Sequence, residues 1–431
     1  MDNNSQYESD KTAMDATTYP PAALPVNRWK IFLAVLGPGL VVMLADTDVG
    51  SIITAAQSGA QWGYHLLLLQ LILVPILYVV QELTVRLGIF TGKGHGELIR
   101  ETFGQGWAWL SVAGLAVATM GALITEFAGV AGVGDLFGLP RLYSLGATVL
   151  LLLAIVWTGS YRRVERVAIL LGLFELVFFW VAYQAHPHPR ELADGMLHMP
   201  LNQPAYLYLV AANIGAVIMP WMIFYQQSAV ADKGLRPEHY RDARWDTALG
   251  ALVTQLVMAA VLVACAATLG RHRANAPLDN VADISHALTT FLGADLGRIL
   301  FGLGILGAAL VAAIVVSLAA AWGFGEVTGY KHSLEHHPLE APWFYFVYTA
   351  GVVGGAVVVS VAPNLVALAI GVEVMNALML PLVLGFLVAL AVKALPPEHR
   401  LRGPYYAVVL LVCCLTAGLG VYGGLSGAGL F

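Results

Sequence analysis

Apolar runs of about twenty residues recur along this whole chain, and no other feature constrains its fold as tightly. Such a run, wound as a helix, matches the thickness of a bilayer's hydrocarbon core. Runs separated by turn signals fall near 31–58, 63–90, 106–134, 142–159, 165–185, 205–230, 247–270, 295–328, 342–361, 364–394 and 404–428. Of the 431 residues, 58% are hydrophobic and 11% charged, an apolar share well above that of soluble domains. The pattern predicts an all-α polytopic membrane protein with eleven spans. Cys265, Cys413 and Cys414 all fall in apolar segments, which implies no disulfide framework. Residues 1–29 are expected to be a disordered cytoplasmic tail, because the stretch is polar, then Pro/Ala-rich, and lacks the apolar core of a signal peptide.

Eleven spans put the termini on opposite sides, and the basic residues choose between the two orientations. With the N-terminus inside, the tail and the loops near 86–100, 162–166, 233–244, 331 and 393–402 hold 17 of the 22 Lys and Arg residues. The opposite side holds Arg141, Arg190, Arg271, Arg273 and Arg298. The expectation is a multi-pass protein of a plasma (inner) membrane, with a cytoplasmic N-terminus and an extracytoplasmic C-terminus. The net charge of −5 says little beside this asymmetry.

Two spans are interrupted. The first carries Asp46 and Asp48 inside Ala45-Asp46-Thr47-Asp48-Val49-Gly50-Ser51, at bilayer depth. An ionisable side chain there costs roughly 2.5–3.5 kcal/mol on insertion scales, and so is read first as functional. Two like charges so close would also repel unless a cation visits. The sixth span carries Met219-Pro220 after Gly215-Ala216, where proline removes a backbone donor. Irregular backbone at membrane depth is tolerated only inside protein or beside a cavity. Breaks at matching places in two halves point to an inverted-repeat transporter with a midplane site. The plainer alternative is two ordinary kinked helices.

These residues resemble a known family. Gly37-Pro38-Gly39, Asp48-Val49-Gly50-Ser51 and Gln57-Ser58-Gly59-Ala60-Gln61-Trp62-Gly63-Tyr64 are similar to the first helix of the NRAMP divalent-metal transporters, whose core motif reads Asp-Pro-Gly-Asn. Arg86-Leu87-Gly88-Ile89-Phe90-Thr91-Gly92-Lys93 with Arg100-Glu101 resembles that family's second loop. Arg162-Arg163-Val164-Glu165 resembles the start of its fifth helix, and Gly215-Ala216-Val217-Ile218-Met219-Pro220 its sixth-helix motif. The resemblance implies a LeuT-type fold of two inverted five-helix repeats plus an eleventh transmembrane helix. Its expected parts are 30–185 (the first repeat), 186–394 (an extracytoplasmic loop and the second repeat) and 395–431 (the eleventh span and C-terminus). It also implies a secondary transporter of Mn²⁺- or Fe²⁺-like ions, often moved with protons, in which the metal is substrate and no cofactor is needed.

Carried over by position, Asp48 is the metal-binding aspartate, Ser51 replaces the asparagine, Met219 is the thioether ligand, and the carbonyls of Ala45 and Ala216 complete the shell. A soft sulfur suits transition metals and poorly suits Ca²⁺ or Mg²⁺. The alternative for Met219 is a methionine that merely faces the core or lipid. The chain also departs from the family. Trp221 and Gln226 stand where proton-route histidines are usual, and Leu123 stands where the third helix usually has an aspartate. Glu126, one turn on, remains as the candidate coupling residue. The twelve histidines fall in loops or at helix ends, so no imidazole relay at depth is expected.

Conversely, Asp46 and Glu373 are acids where the family usually has none. Asp46, Asp48 and Glu373 at one site would need a dication or protons to offset them. Asp46 has an alternative role capping the second half of the broken helix, and Glu373 one in a hydrogen bond to a neighbouring helix. Added hard oxygens suit Mg²⁺ or Mn²⁺, and Met219 tips the balance to Mn²⁺- or Fe²⁺-like ions. Glu82 and Glu175 are expected in structural pairs, and Gly129 and Gly132 in close helix packing. The rivals are a Mg²⁺ transporter of the same family, an organic-cation or solute symporter on the same fold, and a non-transporting sensor or accessory subunit. No zinc-type histidine spacing, activated nucleophile or phosphate loop points to an enzyme, and nothing points to a nucleic-acid partner.

Overall fold

The computed structural model describes residues 37–430 apart from 159, 270–277, 279, 290–291, 335 and 363. The expected tail at 1–29, and Arg271 and Arg273 of the charge count, lie outside the described residues.

The first span is a broken pair, α1 (Pro38–Asp46) and α2 (Val49–Trp62), bent by 48° between them. The chain continues through α3 (Leu67–Thr91), a short α4 (His95–Phe103), α5 (Gln105–Leu136) and α6 (Arg141–Val156). The fifth span is α7 (Tyr161–Gly172), a 3₁₀ turn at Leu173–Leu176, and α8 (Val177–Gln184). After α9 (Pro189–Leu197) comes the second interrupted span, α10 (Pro204–Val217) and α11 (Pro220–Asp232). The rest is α12 (Tyr240–Thr268), α13 (Val281–Thr289), α14 (Ala294–Thr328), α15 (Pro342–Val361), α16 (Leu365–Lys393) and α17 (Gly403–Gly427). All eleven apolar segments are helical among the described residues. One of them, α6, has only 16 residues, near 24 Å at 1.5 Å per residue.

Both breaks follow from local chemistry. At the first, Asp48 turns extended and its carboxylate accepts the Ser51 N–H at 2.7 Å, an N-cap that restarts the chain as α2. At the second, Pro220 has no N–H to give the Ala216 carbonyl, so α10 stops at Val217 and α11 begins on the proline.

The α10/α11 span is almost wholly enclosed, whereas the fifth, ninth and eleventh spans turn much of their surface outward. That outward belt includes Leu170, Trp180, Phe346 and Leu411. In lipid, helices gain from close approach, and small residues at the contacts permit it. At Gly129 on α5, a Cβ would collide with the Val49 side chain that opens α2. At Gly215 on α10, one would collide with the Glu373 carbonyl of α16.

Candidate metal centre

The two breaks meet at one point in the interior. Ser51, in the first turn of α2, donates its backbone N–H to Asp48 and its hydroxyl to the Ala216 carbonyl at 2.9 Å. That carbonyl is the one released by Pro220. A single serine thus joins the unwound parts of the first and sixth spans. The Ala45 carbonyl is free of the next helical donor in the same way, because the Val49 N–H goes to Glu126 Oε2 at 3.3 Å.

Three carboxylates converge here. Gly50 has no side chain because none fits: a Cβ would collide with Glu373 Oε1 and stand 3.5 Å from Asp48 Oδ1. Asp46, Asp48, Ser51, Met219 and Glu373 are each 0–1% exposed. Asp46 Oδ1, Asp48 Oδ2 and Glu373 Oε1 are buried without a hydrogen-bond partner. Orphaned buried oxygens demand an explanation, and carboxylate oxygens beside a hydroxyl and a released carbonyl are hard donors of the kind a dication takes. Among the described residues, no group of three or more His, Cys, Asp or Glu side chains could hold a metal ion by itself.

Some of the alternative roles fail, and one expected structural pair is missing. The cap of α2 is Asp48, assisted by Glu126, and not Asp46. Asp46 ends α1 and has only a long contact, 3.4 Å, from the Thr254 hydroxyl. Among the described residues Glu373 makes no bond to a neighbouring helix. Its Oε2 accepts from Asn376 one turn along its own helix, at 3.0 Å. Glu82 is paired, by Arg86 at 2.8 Å and by the hydroxyls of Tyr240 and Tyr405. Glu175 is not: it is fully buried in the 3₁₀ turn of the fifth span, facing Thr47, and both its oxygens lack a normal hydrogen bond. Met219 does not face lipid: it is fully buried, and its sulfur accepts the indole N–H of Trp221 at 3.2 Å.

Other residues escaped the sequence reading. Asp246 on α12 accepts the N–H groups of Gly37, Gly39 and Leu40 at 3.2, 2.8 and 3.1 Å, and so anchors the start of α1. Gly37 has φ 154°, and a Cβ there would collide with Glu165, whose carboxylate pairs with Lys233 at 2.8 Å. Glu326 on α14 ties the Gly96 N–H to the Ser228 hydroxyl. His95 is fully buried, and its Nδ1 donates to Gln227 Oε1 at 2.8 Å. Burial lowers its pKa to about 4, so it is neutral at physiological pH. The one signal for Asp246 was an acid at the threshold of an apolar run, which reads equally as the edge of a loop.

The match to known proteins is decisive for the family. Residues 39–426 fit the family profile described as Nramp, natural resistance-associated macrophage protein-like. The chain belongs to the Nramp family. Its relatives include the divalent metal cation transporter MntH of Aeromonas hydrophila, 27% identical over 93% of this chain and 97% of that one. The MntH of Klebsiella pneumoniae is 29% identical over 73% of this chain and 75% of its own. Among solved structures, the manganese transporter of Eremococcus coleocola superposes with a TM-score of 0.73 at 21% identity, covering 96% of this chain and 90% of that one. A Na⁺-coupled sialic acid symporter superposes more loosely, at 0.56 and 14% identity, covering 91% and 89%. The fold is therefore LeuT-type, in an integral multi-pass membrane protein.

Proposed function

We propose that this chain, a divalent metal cation transporter of the Nramp family, carries Mn²⁺- or Fe²⁺-like ions by alternating access through the junction of its two broken spans. One observation carries the reading. Ser51 bonds at once to Asp48 and to the Ala216 carbonyl, so carboxylate, hydroxyl and released carbonyl gather at the same buried point. Asp48 supplies charge. Ser51 and the Ala45 and Ala216 carbonyls supply hard oxygen, and Met219 supplies the soft donor that disfavours Mg²⁺. Asp46 and Glu373 add negative charge beside them, and Glu126 holds the α2 N-terminus against Asp48.

In the empty state at least one of the three acids holds a proton, and a dication arriving at the site releases it. This links metal and proton movement without the histidines the chain lacks, which marks it as a divergent member of its family. The basic asymmetry supports a cytoplasmic N-terminus, and the compact loops a bacterial-type plasma membrane.

The test uses purified protein in liposomes with a metal-responsive dye inside. Mn²⁺ uptake is expected, resistant to millimolar Mg²⁺, and abolished in Asp48→Ala. Asp46→Asn is expected to change the pH dependence of uptake. Mn²⁺ uptake abolished by Mg²⁺, with Met219→Ala leaving that ratio unchanged, would overturn the preference.

A further inference from the structure

At the break of the sixth span lies an interaction that neither the family profile nor the relatives assign. Met219 Sδ, the soft donor proposed for the centre, is fully buried and stands immediately before the proline that opens α11. Cys265, also buried, packs against Gly59 farther along α2 and takes no part. The indole of Trp221, itself fully buried, donates its N–H to that sulfur at 3.2 Å. Met219 is the N-cap of α11 and Trp221 its second residue, so the bond is made inside the first turn that Pro220 sets.

The consequence is chemical. A thioether sulfur has two lone pairs, and an indole is a donor only. An N–H directed at the sulfur takes one pair and withdraws electron density from the other. Whether the ion shares the sulfur with the indole or must displace it, the sulfur is a poorer ligand than a free thioether. The loss falls on ions that depend on soft donors, such as Cd²⁺, and barely touches ions that bind through oxygen, such as Mn²⁺ or Mg²⁺. The second consequence is geometric. The bond holds a flexible side chain with several rotatable bonds in one place.

We infer that Trp221 is a specificity-determining, positioning residue: its indole N–H restrains the Met219 sulfur and moves the site's preference from soft toward hard dications. The inference rests on the proposed transport of a dication through this site and refines which dications it accepts.

The test is competition of Cd²⁺ with Mn²⁺, by calorimetry on the purified protein and by dye-reported uptake in liposomes. Trp221→Phe keeps an aromatic ring and removes the N–H. It is expected to raise the Cd²⁺-to-Mn²⁺ affinity ratio about fivefold, the size of one neutral hydrogen bond. In a Met219→Leu background the same substitution should leave the ratio unchanged, because there is no sulfur to release. A ratio within twofold of wild type in Trp221→Phe, or an equal rise in the Met219→Leu background, overturns the inference. If Trp221→Phe does not fold, the wild-type protein with ¹⁵N-labelled tryptophan decides. The indole resonance that moves in Met219→Leu should shift on Cd²⁺ binding and stay fixed with Mg²⁺, and an unmoved resonance refutes the bond. Absence of any Mn²⁺ binding by the wild type would instead remove the transport reading itself.

Discussion

His95 shows how one side chain reports on its enclosure. Its folded pKa is lowered to about 4, against about 6.5 in an unfolded chain. Between those values the unfolded state binds a proton that the folded state excludes, so stability falls as pH drops through that window and is level above it. The penalty reaches on the order of 3 kcal/mol at its full extent. His95→Gln should flatten the wild-type loss of thermal midpoint between pH 6.5 and 4, and parallel curves for the two proteins would show that His95 carries no such load. At the same scale, Asp48 was legible as a buried acid at a break, but its dual role as helix cap and candidate ligand was not. Capping depends on which acid turns its carboxylate back to Ser51, and two acids two residues apart are equivalent on paper.

The elements that matter are the halves of the broken spans. Pro220 frees the Ala216 carbonyl, which then accepts from Ser51. In Pro220→Ala an N–H returns at that position, and a proline within a helix costs about 3 kcal/mol relative to alanine. The substitution should let α10 and α11 run together, lower Mn²⁺ affinity at least tenfold and leave the thermal midpoint no lower than wild type. Unchanged affinity by calorimetry would remove the Ala216 carbonyl from the ligand set. Such breaks are readable from sequence, because proline's missing donor and the poor helix formers around Asp48 act locally. The partner that takes up a released carbonyl is far away in sequence, and no pattern announces it.

At the scale of the molecule, buried polar contacts tie helices together on both sides of the centre. At the Lys/Arg-rich end, Asp246 grips the start of α1, Glu165 pairs with Lys233, and Glu326 bridges Gly96 and Ser228. Toward the other end, Gln57 accepts the Leu278 N–H, and Asn213 links Gln70 to Ser58. Asp246→Ala removes three bonds to backbone N–H groups, each worth roughly 1 kcal/mol or more to a charged acceptor. Amide hydrogen exchange across residues 38–46 should accelerate while exchange in α5 and α14 does not. Exchange unchanged in α1 would locate its anchor elsewhere.

The sequence by itself determined the eleven apolar segments, the two breaks and the residues clustered around them. Each of those rests on a short-range cause: hydrocarbon thickness, a proline's missing donor, an acid where lipid would be. Tertiary structure decided the pairings. It brought Glu373 over Gly50, left Glu175 buried without the structural partner expected of it, set Trp221 on the sulfur of Met219, and gave Asp246 to the first helix. Those contacts join helices distant in the chain or turn on which rotamer is free, and they emerge only when the helices pack.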